Sequence, residues 1–409
     1  MAKVNENFLA LASGYLFPEI ARRTKAWQNE HPGEEILRLG IGNTTEALTP
    51  YIVEAMHEKL EKLSDRATYT GYGDEQGDTP LRNALSEMYK REYGVELESE
   101  EFFVSDGAKA DAANIQQIFS EDSVVAVQDP AYPVYVDSNV AGGRSLGYDE
   151  KNGSYKGLVY MPCTSENGFV PEPPKCHVDL IYLCFPNNPT GAVATKDQLK
   201  AFVDYALRER SIIIYDAAYS DYIREAGYVR TIYEVPGAEK CAIEINSFSK
   251  NAGFTGVRLG WTIVPFALES DNAPKGTIHR LWNRRQCTYF NGASNIAQAG
   301  GLAAVSEKGR AECRGLVDYY LENARIIKEG LEKAGLKCYG GVNSPYVWAK
   351  TPDNMKSWDF FDFLLDKAHV VVTPGAGFGA SGEGYVRVSS YGHRENVEKA
   401  VKAIMENLK

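Results

Sequence analysis

Hydrophobic positions along the chain follow two periods that take turns. Four short runs, at 124–127, 180–185, 212–215 and 241–245, are apolar over most of their length. Short continuous runs of this kind are what a strand buried on both faces presents. Between the second and third lies the segment 195–210, where Leu199, Phe202, Val203 and Ala206 recur at helical spacing. Strand followed by helix, repeated, predicts an α/β fold around a largely parallel sheet. The last third changes character. Its pattern predicts a long helix over 310–334, a strand at 346–349, a helix around 360–365, a strand at 370–372 and a closing helix from Arg394. This mixture predicts a small α+β domain over 295–409, after a large domain over 51–294. Residues 1–50, with Pro18, Pro32, Pro50 and little periodicity, read as an arm that packs on the small domain or on a partner subunit.

Charge narrows the class of partner. The 409 residues carry 55 acidic and 44 basic side chains, a net charge of −11. Such a surface repels a phosphate backbone, so no nucleic-acid partner is expected and any bound anion must be held locally. No stretch approaches the ~20 apolar residues of a membrane span, and the N-terminal residues lack the basic region and apolar core of a signal. A soluble, cytoplasmic protein with no membrane partner is expected. The seven cysteines are scattered without a CxxC pair, and the six histidines form neither HExxH nor an i, i+4 pair. Neither a disulfide framework nor a metal site is expected.

The informative residues are those that follow each buried run, because open α/β sheets bind ligands beyond the carboxyl ends of their strands. After the first run come Asp129, Pro130 and Tyr132, and after the second the segment Asn-Asn-Pro-Thr-Gly at 187–191. The third is followed by Asp216 and Tyr219, and the fourth by Ser247, Ser249 and Lys250. Taken singly, each has a bland role: Asp216 as a helix cap, the tyrosines as packing, 187–191 as a turn and Lys250 as solvated surface. Four consecutive units aiming an aromatic ring, an amide, a carboxylate with a phenol and a lysine at one edge argue for a site.

That set suits an aldehyde cofactor. A lysine in an apolar pocket or beside other cations has a lowered pKa and attacks a carbonyl as the free amine. Pyridoxal phosphate requires such a lysine, a carboxylate for its ring nitrogen, donors for its phenolic oxygen, a ring to stack on and a phosphate cradle. Lys250 is the candidate for the covalent bond, Asp216 for the ring nitrogen, Asn188 and Tyr219 for the phenolic oxygen, and Tyr132 for one ring face. The turn Ser-Asp-Gly-Ala-Lys at 105–109 opens a helix, where the amides of Ala108 and Lys109 and the helix dipole receive an anion. Ser247, Ser249 and Arg258 flank the lysine, and a guanidinium matches a pair of phosphate oxygens.

These motifs resemble the fold-type I pyridoxal-phosphate aminotransferases of classes I and II. The resemblance runs from Tyr69 to Lys409 through Tyr72 to Gly77, Asn-Asn-Pro-Thr-Gly at 187, Asp-Ala-Ala-Tyr at 216 and Ser-Phe-Ser-Lys at 247. More narrowly, Gly-Tyr-Gly-Asp-Glu-Gln-Gly at 71–77, the turn at 105–109, the segment 244–258 and Ser-Gly-Tyr-Leu-Phe at 13–17 resemble the LL-diaminopimelate aminotransferase branch. The lysine in the turn departs from the wider family.

The resemblance implies a mostly parallel seven-stranded sheet in the large domain. It also implies transfer of an amino group from LL-2,6-diaminopimelate to 2-oxoglutarate, run physiologically in reverse from tetrahydrodipicolinate and glutamate toward lysine. Arg387, assisted by Asn188, clamps the substrate carboxylate by this analogy. It further implies a homodimer with shared sites, in which Tyr72, Glu75 and Asn291 reach into the neighbour's site. By the same resemblance Tyr15 and Gly42 would close over the substrate, and Glu75 would meet its distal ammonium. A broader aspartate or aromatic amino-acid aminotransferase stays open as an alternative, as does a non-catalytic protein on the same fold. The glycine-rich segment 374–379 has the look of a dinucleotide turn, yet it comes late and lacks the acidic residue expected ~20 positions on.

Overall fold

The computed structural model describes residues 1–12 and 16–408. Its main sheet has seven strands: β1 (Phe102–Ser105), β2 (Val125–Asp129), β3 (Leu158–Pro162), β4 (Leu180–Cys184), β5 (Ile212–Asp216), β6 (Ala242–Ser247) and β7 (Gly260–Ile263). Their order across the sheet is β1-β7-β6-β5-β4-β2-β3. Strand β7 is antiparallel to both neighbours, and all other pairs are parallel. The four apolar runs of the sequence are β2, β4, β5 and β6, and every residue of these strands is buried. Their continuous hydrophobicity follows from helices covering both faces.

The predicted helix at 195–210 spans Lys196–Glu209. Thr195 caps it by accepting from the Gln198 N–H, Gln198 returns the bond to the Thr195 N–H, and Arg210 ends it in the left-handed conformation. Its apolar stripe, Leu199, Phe202, Val203 and Ala206, is buried against the sheet. Strands β1, β3 and β7 escape a reading by pattern. Strand β1 ends in a serine, β7 is broken by Thr262, and β3 is an edge strand whose middle positions are half-buried, so none stands out as a continuous apolar run.

A second core forms around a four-stranded antiparallel sheet ordered Cys338–Gly340, Tyr346–Lys350, Tyr385–Ser389, Thr373–Pro374. Helices Ser357–Ala368 and Arg394–Asn407 pack on it through Phe360, Leu364, Val397 and Ile404. The N-terminal segment joins this core. Helix Leu16–Glu30 buries Leu16, Ile20, Thr24 and Trp27, and Leu37–Arg38 pairs in parallel with Val370–Val371. Periodicity misses this helix because its buried stripe is narrow and includes a threonine. Helix Asn295–Val305 packs on Pro50–Ser64 and Thr79–Tyr93 beside the main sheet. The long helix Glu307–Lys333 serves both cores, with Cys313 and Val317 on the side of the main sheet and Ile327 and Leu331 in the second core. No helix among the described residues is long and apolar enough to cross a membrane.

The glycine-rich segment at 374–379 is a packing turn. It forms a single short 3-10 turn, Gly375–Phe378, with no long helix behind it. Gly375 lies against the backbone of Gly382 and Tyr385, and Gly377 against Leu16. Gly379 has φ +134°, and a Cβ there would run into the carboxylate of Asp129. That carboxylate is already held by the Ser381 N–H at 3.1 Å and the Ser381 hydroxyl at 2.8 Å. Gly379→Ala therefore combines backbone strain with a clash, and we expect a loss of at least ~2 kcal/mol of stability, read as a lowered melting temperature. A variant that melts with the parent would remove the packing explanation.

Candidate active site

Where β4, β5 and β6 end, a cleft of about 430 Å³ opens toward the second core. Asp216, the last residue of β5, is buried at its floor. Its carboxylate accepts from the Tyr135 hydroxyl at 2.7 Å and from the Ala218 N–H at 3.0 Å. Burial pushes this carboxyl up, while those two hydrogen bonds and the nearby Lys250 hold it down. Lys250 sits in the short helix Phe248–Asn251 that follows β6, and its amine donates to the Gly42 carbonyl. The ring of Tyr391 lies 5.3 Å from that amine. Burial, then the charges of Arg387 and Arg258, push the lysine down to about 7 against the opposing pull of Asp216.

One end of the cleft gathers donors. Ser247 caps the lysine helix by accepting from the Ser249 N–H at 3.0 Å, and Arg258 donates to the Ser249 hydroxyl at 3.2 Å. Opposite Arg258, helix Ala108–Asn114 begins after Gly107 with no side chain capping its first turn. Gly107 has φ +128°, and any Cβ there would strike the Arg258 guanidinium. The glycine therefore lets a helix start and a guanidinium converge, the arrangement that receives a phosphate.

The other end holds a second guanidinium. Arg387, on strand Tyr385–Ser389, is only 1% exposed. It donates to the Asn188 side-chain oxygen at 2.7 Å and to the Gly40 carbonyl at 2.7 Å, and it stacks 4.4 Å from the Tyr346 ring and 4.9 Å from that of Phe378. Among the described residues no carboxylate pairs with it, and its Nε has no hydrogen-bond partner. A desolvated cation left without a counter-charge is suited to a ligand's carboxylate.

The structure thus brings together Gly42, Ala108, Lys109, Tyr132, Asn188, Asp216, Tyr219, Ser247, Ser249, Lys250, Arg258 and Arg387. Tyr72, Glu75 and Asn291 do not line this cleft. They lie together elsewhere on the surface, Gly292 packing on the backbone of Asp74 and Glu75 and Asn295 donating to the Gly71 carbonyl at 3.0 Å. Tyr15 is outside the described residues. Sequence reasoning missed Tyr135, Tyr346 and Phe17, all of which line the cleft. Tyr135 had a signal, standing one helical turn beyond Tyr132. Tyr346, which shares a 2.8 Å hydrogen bond with the Tyr219 hydroxyl, had none, because only the second core brings it near.

The profile of the family described as "Aminotransferase class I and II" matches residues 34–404. The chain belongs to this family. Among its relatives, this aminotransferase is 51% identical over 404 residues to an LL-diaminopimelate aminotransferase from Agathobacter rectalis, covering 99% of each chain. It superposes on the L,L-diaminopimelate aminotransferase from Chlamydomonas reinhardtii with a TM-score of 0.93 at 47% identity, over 99% of this chain and 98% of that one. An aspartate aminotransferase from Thermus thermophilus shares the fold, with a TM-score of 0.85 at 23% identity over the full length of both. Members of the family work with pyridoxal phosphate. The cleft of this aminotransferase fits that group, with an anion cradle at one end, a buried carboxylate on the floor and a deprotonable amine between them.

The lysine offers a direct check on cofactor-free protein. Labelling with an acylating reagent should modify Lys250 with a midpoint near pH 7, far below the 10.5 of an ordinary lysine. Arg387→Gln removes a cation that disfavours the protonated amine, so the midpoint must move upward. A midpoint that stays or falls would contradict the electrostatic account.

Proposed function

We propose that the chain transfers an amino group from LL-2,6-diaminopimelate to 2-oxoglutarate, giving tetrahydrodipicolinate and glutamate, and that its biosynthetic direction is the reverse, toward lysine. The identity to two enzymes of that name, one of them a superposable structure, supports the substrate. The observation that carries the chemistry is the half-buried amine of Lys250 sharing one cleft with a carboxylate and two guanidinium groups.

Bound pyridoxal phosphate supplies an aldehyde that bonds to amines and a protonated ring that draws electrons from the carbon next to the bonded nitrogen. The residues of this chain do the rest. Arg258, Ser247, Ser249 and the amides of Ala108 and Lys109 hold the phosphate. Asp216 keeps a proton on the ring nitrogen, its burial ensuring that the carboxylate and that proton are paired rather than solvated. Asn188 and Tyr219 hold the phenolic oxygen, and Tyr132 covers one face. Arg387 orients the substrate by its α-carboxylate, with Asn188 fixing the guanidinium. Lys250, brought down to about 7 by burial and the two guanidinium groups, would hold and move the proton at the substrate's α-carbon.

We further propose that two copies share their sites, with Tyr72, Glu75 and Asn291 supplied by the neighbour and Glu75 meeting the distal ammonium. The packing of the segments that carry them, away from their own cleft, supports this reading.

Two measurements test the proposal. Lys250→Ala should retain cofactor without a borohydride-reducible bond and lose turnover by about 10⁴-fold or more, as loss of a covalent and acid–base group implies. Against 2-oxoglutarate, LL-diaminopimelate should far outperform meso-diaminopimelate, lysine and aspartate as donor, whereas a preference for aspartate would establish the broader aminotransferase instead.

A further inference from the structure

Immediately after Tyr219 the chain makes a short 3-10 turn, Ser220–Tyr222. Two of its side chains reach to the lysine helix from behind the cleft. The Tyr222 hydroxyl donates to the backbone carbonyl of Lys250 at 3.1 Å, satisfying one of the acceptors that a helix end leaves open. The Asp221 carboxylate accepts from the side-chain amide of Asn251. The turn is itself anchored. Arg310, on the long helix, donates to both oxygens of Asp221 at 2.6 and 2.7 Å, and to both oxygens of Glu92 at 2.8 and 3.2 Å. Its side chain is 8% exposed. Burial would raise Asp221, yet Arg310 holds it down to about 2. Tyr222 also packs edge-on against Tyr391, at 6.4 Å between ring centres, and Tyr391 is the ring that faces the lysine amine.

The segment carrying Asp216 and Tyr219 and the segment carrying Lys250 are thus tied by two hydrogen bonds on a braced turn, none of which touches the cleft. We propose that Asp221, Tyr222 and Arg310 are positioning residues that set where the Lys250 amine stands relative to Asp216. The proposal rests on Lys250 being the reacting amine. Its physical basis is the steep dependence of proton transfer and bond formation on placement, where about 1 Å of displacement costs ~10²-fold in rate. A four-residue helix has too few hydrogen bonds of its own to hold a side chain that firmly.

The test uses Tyr222→Phe, which deletes one hydroxyl, and Asp221→Asn, which keeps the shape and breaks the ion pair. Tyr89→Phe serves as a control, since it removes a buried hydroxyl that donates to Glu244 at 2.5 Å, far from the cleft. Cofactor-free protein is mixed with pyridoxal phosphate and quenched with borohydride at successive times, and the pyridoxyl-labelled peptide is mapped. Capture at Lys250 should slow by about tenfold in Tyr222→Phe and by more in Asp221→Asn, with kcat falling in proportion and donor KM within about twofold, because Arg387 is untouched. Tyr89→Phe should melt earlier yet capture cofactor as the parent does. If Asp221→Asn does not fold, Tyr222→Phe decides alone. Capture at the parental rate in folded Tyr222→Phe overturns the positioning role and leaves Lys250 in place. A label on another lysine overturns both this role and the proposed chemistry.

Discussion

A single half-buried amine set among two guanidinium groups and one carboxylate is the constraint on which the molecule depends. An ammonium in that position pays a desolvation penalty and meets the repulsion of Arg387 and Arg258, so the neutral amine becomes accessible near pH 7. Asp216 alone opposes this, and its own burial limits how much it can. Moving any of the four charges would change the lysine's proton affinity. The fold therefore has to hold residues 216, 250, 258 and 387 in place although they come from two strands, a short helix and a loop, spread over two cores.

The architecture supplies that register through stiffness. Strands β4, β5 and β6 are parallel neighbours, so their carboxyl ends deliver Asn188, Asp216 and the lysine helix to one edge. Arg387 comes from the second sheet and is locked there by Asn188 of the first. One contact between the cores is thus made by a cation and an amide that both line the cleft. Asp129, held by Ser381, adds a second tie close to Tyr132. The long helix Glu307–Lys333 runs through both cores and brings Arg310 behind the cleft. Buried Glu244, which does not line the cleft, is satisfied by the Tyr89 and Thr231 hydroxyls and the Ile232 N–H.

How much of this could be read beforehand depended on whether a residue's role was local. The lysine helix, the turn at 105–109 and the strand ends announced themselves because motif and position coincide within a few residues. Arg387 came only through family likeness, for nothing in its own strand separates it from a surface cation; its burial beneath Tyr346 and Phe378 is a product of packing. The glycines at 375–379 misdirect in the opposite sense. They mimic a phosphate turn, yet each is small because another backbone or side chain occupies the space a Cβ would need.

The sequence by itself determined the alternation of buried strands and amphipathic helices, the polar residues that follow each strand, and hence the cofactor class, because these depend on periodicity and near-neighbour spacing. Only the tertiary structure decided which tyrosines face the lysine, which arginine lost its counter-charge and which carboxylate braces the turn behind it. Those properties arise from desolvation and from contacts between segments far apart in the chain, from 89 residues for Asp221 and Arg310 to 199 for Asn188 and Arg387, and no local pattern encodes the amount of water that folding removes.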